Sequence, residues 1–203
     1  MERGKAAIVT DPYGDDIGYR LPKLRADVVT ISHDAPGHAN TGLWPRTTRV
    51  ITRPGEYEIG GVFIIGIAMH NPEASQPREN IVFLLDFDGV NVVHLGDLDF
   101  VPSQSEVDAL GEVNVALVPV GGGNALNATQ AAEVINLIEP HMVVPMHYKT
   151  PQTTLPLDSV DRFLKVMGIS KVQAQETLRV TPGEAPEQTQ IVILAPQQQA
   201  LES

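Results

Sequence analysis

Through the first 150 residues, short apolar runs rich in Val and Ile alternate with polar turns. They are AAIVT (6–10), DVVTIS (27–32), VFIIGIAM (62–69), IVFLLDF (81–87), VNVVHL (90–95), VALVPV (115–120) and MVVPM (142–146). Runs this short and this β-branched predict strands rather than helices. Asp88-Gly89, between the fourth and fifth runs, predicts a two-residue hairpin, and Gly60-Gly61 after PGEYEI predicts another turn. Helical signals come later. Ser103 and Glu106 have capping-box spacing and open a helix that stops at Gly111. Asn127 caps ATQAAEVINLIE, in which Ala131, Val134, Ile135 and Ile138 share one face and Pro140 ends the pattern. SVDRFLKVM (159–167) predicts a third helix closed by Gly168, and TLRV (177–180) and QIVILA (190–195) predict two last strands. An antiparallel first part followed by strand–helix alternation points to the α/β (α+β) class, with two sheets and helices outside, a four-layer αββα sandwich.

Composition narrows the chemistry. The chain has 203 residues, 42% hydrophobic and 19% charged, and no Gly/Ser- or Pro-rich linker interrupts it. One domain over residues 1–195 is expected, with a polar, disordered tail at 196–203. A net charge of −11 argues against nucleic acid or an anionic membrane as a partner, with homo-oligomers left open. The absence of cysteine excludes disulfides, thiolate ligands and a cysteine nucleophile. The N-terminal stretch has no secretory-type apolar core, and no run approaches about 18 apolar residues, so a cytoplasmic location is expected.

The chemistry gathers where the apolar runs stop. DVVTIS is followed by His33, VFIIGIAM by His70, VNVVHLG by Asp97 and MVVPM by His147. His38 lies five residues beyond His33 across a Pro-Gly turn, so four of the six histidines belong to this set. Strand ends can converge on one rim of a sandwich, where a rigid scaffold holds ligands accurately. Three His and one Asp suffice for a zinc ion with an open position for water. Taken singly, each residue is as readily a loop histidine or, for Asp97, a turn residue bonded to its own backbone.

In their order, ISHDAPGH, the His70 segment, NIVFLLDFDGVNVVHLGDLD, VALVPVGGG and PHMVVPMHYKT resemble the metallo-β-lactamase-fold hydrolase superfamily. The likeness is to its small stand-alone branch, similar to ascorbate-6-phosphate lactonase, and runs from residue 6 to residue 150. The resemblance implies the metallo-β-lactamase type of αββα sandwich, and a metal-activated water attacking a small ester, lactone or phosphoester. It implies His33, His38, His70, Asp97 and His147 as metal ligands. Asp97 would be shared between two positions and hold the catalytic water between the ligands. The family motif H-x-H-x-D-H is degenerate in this chain: Ala35 stands at the middle histidine and Gly37 at the aspartate. The implied cofactor is a divalent metal, zinc first, with Mn, Fe or Ni also suited to His/Asp donors. One ion is favoured over two. The loss of two ligands supports an alternative, a catalytically inactive relative that binds a small molecule or partner in the same cleft.

Further residues take supporting places in this reading. Asp34 is the one nearby replacement carboxylate, though its register points it elsewhere. His94, inside its strand, reads as buried and as orienting a ligand. Asn80 reads as holding the loop around His70, and Tyr148 as facing substrate. Asp11 reads as turn chemistry that also supports the first motif. Glycines 121–123 read as a close backbone approach at the cleft floor.

Overall fold

In the computed structural model, which describes residues 6–35, 37–76, 78–183 and 186–197, two sheets face one another. The smaller is parallel, ordered β1 (Ile8–Thr10), β2 (Val28–Thr30), β3 (Arg49–Ile51). The larger has seven strands. Chain order gives β4 (Gly55–Ile59), β5 (Val62–Met69), β6 (Asn80–Asp86), β7 (Asn91–His94), β8 (Val115–Pro119), β9 (Met142–Met146) and β10 (Gln190–Ile191). In space they run β10-β9-β8-β7-β6-β5-β4. Strands β4 to β7 are antiparallel neighbours and β7 to β10 parallel, so the sheet is mixed as the run order implies.

Period-two alternation divides the large sheet's side chains between two cores. On β6, Ile81, Phe83 and Leu85 join Val62, Ile64, Val28 and Ile51 between the sheets. Val82 and Leu84 point the other way, into the layer of α1 (Gln104–Asp108), α2 (Ala128–Ile138) and α3 (Val160–Val166). Each fully buried Val, Ile, Leu or Phe contributes about 1.5–3 kcal/mol, so a strand buried on both faces is held strongly in register. The helices begin where their caps predict. Glu106 accepts from the Ser103 backbone N–H at 2.8 Å, and Asn127 accepts from the N–H groups of Thr129 and Gln130. Asp88 and Gly89 both take positive φ (63° and 89°), closing the predicted hairpin.

Two predicted strands change. TLRV (177–180) forms no strand, and QIVILA shortens to β10 with an isolated bridge from Leu194 to Gln175. Gln175 already pairs with this edge, donating to Ile193 and accepting from Ala195, so residues 177–180 are left outside it, with Thr177 and Arg179 exposed and Leu178 and Val180 half-buried. Pro196 and Gln197 still line a cavity of the domain, and residues 198–203 of the expected tail lie outside the described residues.

Candidate metal centre

The parallel pairing of β1, β2 and β3 delivers the first part of the site. Thr10 pairs with Thr30, so Asp11 leaves β1 beside Ser32 and His33 as they leave β2. The Asp11 carboxylate accepts from the Ser32 backbone N–H at 2.7 Å, from the Ser32 hydroxyl at 2.5 Å and from His38 Nδ1 at 3.0 Å. His33 Nδ1 lies 2.9 Å from the same hydroxyl.

This arrangement dictates both tautomers. An ionised carboxylate only accepts, so the Ser32 hydroxyl spends its one proton on Asp11, and His33 Nδ1 must donate to Ser32. His38 Nδ1 must likewise donate to Asp11. Each ring therefore keeps a bare Nε2. Those nitrogens stand 3.6 Å (His33) and 3.5 Å (His38) from Asp97 Oδ2.

Asp97 and His147 come from the large sheet. Asn80, at the start of β6, bridges the turn after β7: it donates to the Leu95 carbonyl, and its Oδ1 accepts from the Asp97 N–H, both at 2.9 Å. Gly96 permits that closeness. Its φ is +59°, and a Cβ there would stand 2.4 Å from Asn80 Oδ1 and 2.6 Å from Ser32 Cβ. His147 follows β9 with φ +51°, a conformation that costs a non-glycine residue energy and is held by its surroundings. Its carbonyl accepts from Gly121 N–H, where a Cβ would approach to 2.2 Å; this is the close backbone contact expected of that glycine. His147 Nδ1 is 3.2 Å from Asp97 Oδ1.

Donors bound at about 2.0–2.1 Å to a tetrahedral ion stand about 3.3–3.4 Å from one another. The three His–Asp97 separations, 3.2–3.6 Å, match that spacing. Asp97 Oδ1 is buried without a hydrogen-bond partner, which a cation among the lone pairs would resolve. Among the described residues, two donor groups have ligand spacing, sharing His38: Asp11, His33 and His38, and His38, Asp97 and His147. The residues present fit a divalent cation.

Electrostatics agree with that arrangement. Burial, then His38, depresses His33 below the usual imidazole range despite Asp97 and Asp11. Burial also depresses His147 and His94, with the carboxylates opposing. His38 is the exception: burial would lower it, but the Asp11 hydrogen bond and the Asp97 and Asp11 charges raise it. Asp11 is held below the usual carboxylate value although burial opposes ionisation, because His94, His38 and Ser32 favour its charged form.

Four of the five expected ligands, His33, His38, Asp97 and His147, therefore converge. His70 does not. Strand pairing stops at Met69–Asn80, Asn71 opens a turn, and His70 is left exposed and outside both donor groups. Asp34 is also exposed and joins neither group, as its register predicts. His94 is buried, with Nδ1 lacking a partner, and borders the same cavity as His38 and Asp97. Asn80 holds Asp97 rather than the His70 loop, and Tyr148 lines the cavity. Asp11 takes a larger part than turn chemistry, and Ser32 was not anticipated. The signal was present, since AAIVT also ends in a ligand-type residue, Asp11.

Residues 1–147 match the family described as the beta-lactamase superfamily domain, and the chain belongs to it. A UPF0173 metal-dependent hydrolase of Thermococcus onnurineus is 28% identical over 188 residues, covering 87% of this chain and 79% of that protein. One from Thermococcus kodakarensis is 35% identical over 152 residues, 70% and 66% of the two chains. Among solved structures, a candidate Zn-dependent hydrolase of the metallo-beta-lactamase superfamily from Thermotoga maritima superposes with a TM-score of 0.74. It is 36% identical, over 92% of this chain and 88% of that one.

Proposed function

We propose that the chain is a metal-dependent hydrolase that cleaves a small ester, lactone or phosphoester with activated water, at a centre built on His38, Asp97 and His147. The observation that carries this reading is the buried Asp97 carboxylate facing three imidazole nitrogens at 3.2–3.6 Å, two of them fixed as bare Nε2 by Asp11 and Ser32. A divalent ion bound there, zinc being the best match to this donor set, supplies Lewis acidity and lowers the pKa of water.

The chain's own residues set the geometry around it. Asp11 orients His38 directly and His33 through Ser32, as the outer carboxylate does in carboxylate–histidine–metal triads. Asn80 aims Asp97 by holding its backbone N–H. Gly37 lines the cavity at the position where the family motif carries an acid, so no side chain from that position holds the water. With two motif ligands replaced, one ion is favoured. Elemental analysis of protein purified without chelator tests the reading: about one equivalent of Zn, Mn, Fe or Ni is expected. Less than a few tenths of an equivalent, together with no metal-stimulated hydrolysis, would overturn it in favour of a non-catalytic binding protein.

A further inference from the structure

The site opens into a cavity of about 490 Å3, within the range of about 300–1,000 Å3 typical of small-molecule sites. Its floor carries His38, Asp97 and His147, and its walls come from five parts of the chain. Leu117 and Val144 rise from β8 and β9, Ile17 from the turn after β1, Leu155 and Leu157 from the segment beyond His147, and Leu194 from beyond β10. The segment that carries Leu155 and Leu157 is tied down. Thr154 N–H donates to the Ile17 carbonyl at 3.2 Å, and Lys149 Nζ donates to the Thr153 carbonyl at 2.6 Å. That lysine is therefore spent on the loop.

Apart from the histidines and carboxylates of the floor, the polar side chains of the wall are neutral, the Gln197 carboxamide and hydroxyls that include Tyr13, Tyr19 and Thr150, with Tyr19 hydrogen-bonded to Thr150. No lysine or arginine lines the cavity among the described residues, and its carboxylates are Asp11 and Asp97. Arg78 lies on the other side of Asp97. It donates to the Asn124 carbonyl at 2.6 Å, faces Asp99 at 3.9 Å and borders a separate cavity of about 490 Å3 that includes none of His38, Asp97 and His147; towards Asp97 the space beside it is a notch of about 10 Å3. That is room for about one water, and none for a phosphate group. Away from the metal site, a phosphorylated substrate would meet no cationic side chain in this wall among the described residues, whereas an alkyl chain would displace water from apolar surface.

Resting on the hydrolase reading above, we propose that the substrate is a neutral carboxylic ester or lactone whose medium-length apolar acyl chain fills this cavity. The water oxygen forms the new bond to the acyl carbon and the acyl C–O bond breaks. The leaving oxygen takes a proton from that water, so the products are a carboxylic acid and an alcohol. The acyl chain lies against Leu117, Val144 and Leu157, and the carbonyl lies towards Asp97 and His147.

Zinc-loaded full-length protein assayed on p-nitrophenyl acetate, butyrate, hexanoate and octanoate, beside p-nitrophenyl phosphate and its diester, tests the proposal. Each buried methylene is expected to raise kcat/KM about fourfold, so hexanoate exceeds butyrate about 15-fold and every phosphoester trails. Leu157→Asp is expected to lower the octanoate-to-acetate ratio at least tenfold, with circular dichroism confirming that it folds. Calorimetric binding of octanamide, which reports on the cavity without turnover, separates the two ideas. Octanamide bound by the native chain and lost in Leu157→Asp, with no ester cleaved, would retain the cavity assignment and overturn the hydrolase. Esters cleaved without regard to chain length, with no octanamide bound, would overturn the cavity assignment and retain the hydrolase. A phosphoester cleaved faster than hexanoate would also overturn it.

Discussion

Replacing Ser32 with alanine tests how this fold prepares its ligands. The side chain is buried, and its hydroxyl links the Asp11 carboxylate to His33 Nδ1. Alanine fits the space and leaves the Ser32 backbone N–H bond to Asp11 and the His38 bond to Asp11 in place. What is lost is one hydrogen bond to a charged group, about 1.5–3 kcal/mol, and the acceptor that holds the proton on His33 Nδ1. For a chain near 200 residues, that corresponds to a fall in Tm of about 3–12 °C. Once Nδ1 has no acceptor, the ring is free to carry its proton on Nε2, the nitrogen 3.6 Å from Asp97. Loss of such an outer partner typically lowers metal affinity 10–100-fold, or about 1.4–2.7 kcal/mol. Competition with a calibrated zinc chelator measures this, and thermal denaturation of the metal-free protein measures the stability term separately. A variant that melts lower yet binds zinc within threefold of the native chain would refute the tautomer argument.

Other perturbations probe different parts of the site. Gly121→Ala places a Cβ 2.2 Å from the His147 carbonyl and 2.8 Å from Tyr148 Cα, so it should destabilise by about 1–3 kcal/mol and displace His147. Unchanged melting and zinc affinity would contradict the close approach. At Gly37, among the described residues and apart from its chain neighbours, a Cβ would meet Ile17 Cγ2 at 3.4 Å, an ordinary contact, which leaves room to begin a side chain in the variant Gly37→Asp with Ala35→His. It should raise bound metal from about one to about two equivalents; no gain would show that these positions do not face the ions. The pH dependence of the metal-free protein follows from its imidazoles. His33, His94 and His147 are held below 6.5, first by burial, so their contribution is complete above that pH and is lost as pH falls through their depressed values. His38, held above 6.5, runs the other way, contributing below that pH and losing its contribution as pH rises through its folded value. With three imidazoles depressed and one raised, Tm is expected to decline on acidification from pH 7 to 5, and again once Asp11, held below 3.8, is protonated. A flat or rising Tm between pH 7 and 5, measured with chelator present, would contradict this balance.

The sequence by itself determined most strands of the sandwich, though not β3, together with the helix caps and the rule that ligand-type residues stand at strand ends. These are local properties: alternation with a period of two, a side chain able to cap, a glycine able to turn. VFIIGIAM and MVVPM form β5 and β9 over their predicted residues, and His33, Asp97 and His147 lie where their runs end. Tertiary structure alone decided which strand ends meet. Asp11 reaches His38 because β1 pairs in parallel with β2, and Asp97 faces His147 because β7 and β9 flank β8. His70 has the same local signature as the others and is nevertheless exposed, because pairing ends at Met69 and the chain turns away. The segment 177–180 alternates like a strand, but Gln175 already pairs with the edge it would have joined. A ligand set is a property of distances between segments far apart in the chain, and those distances are set by strand order and register.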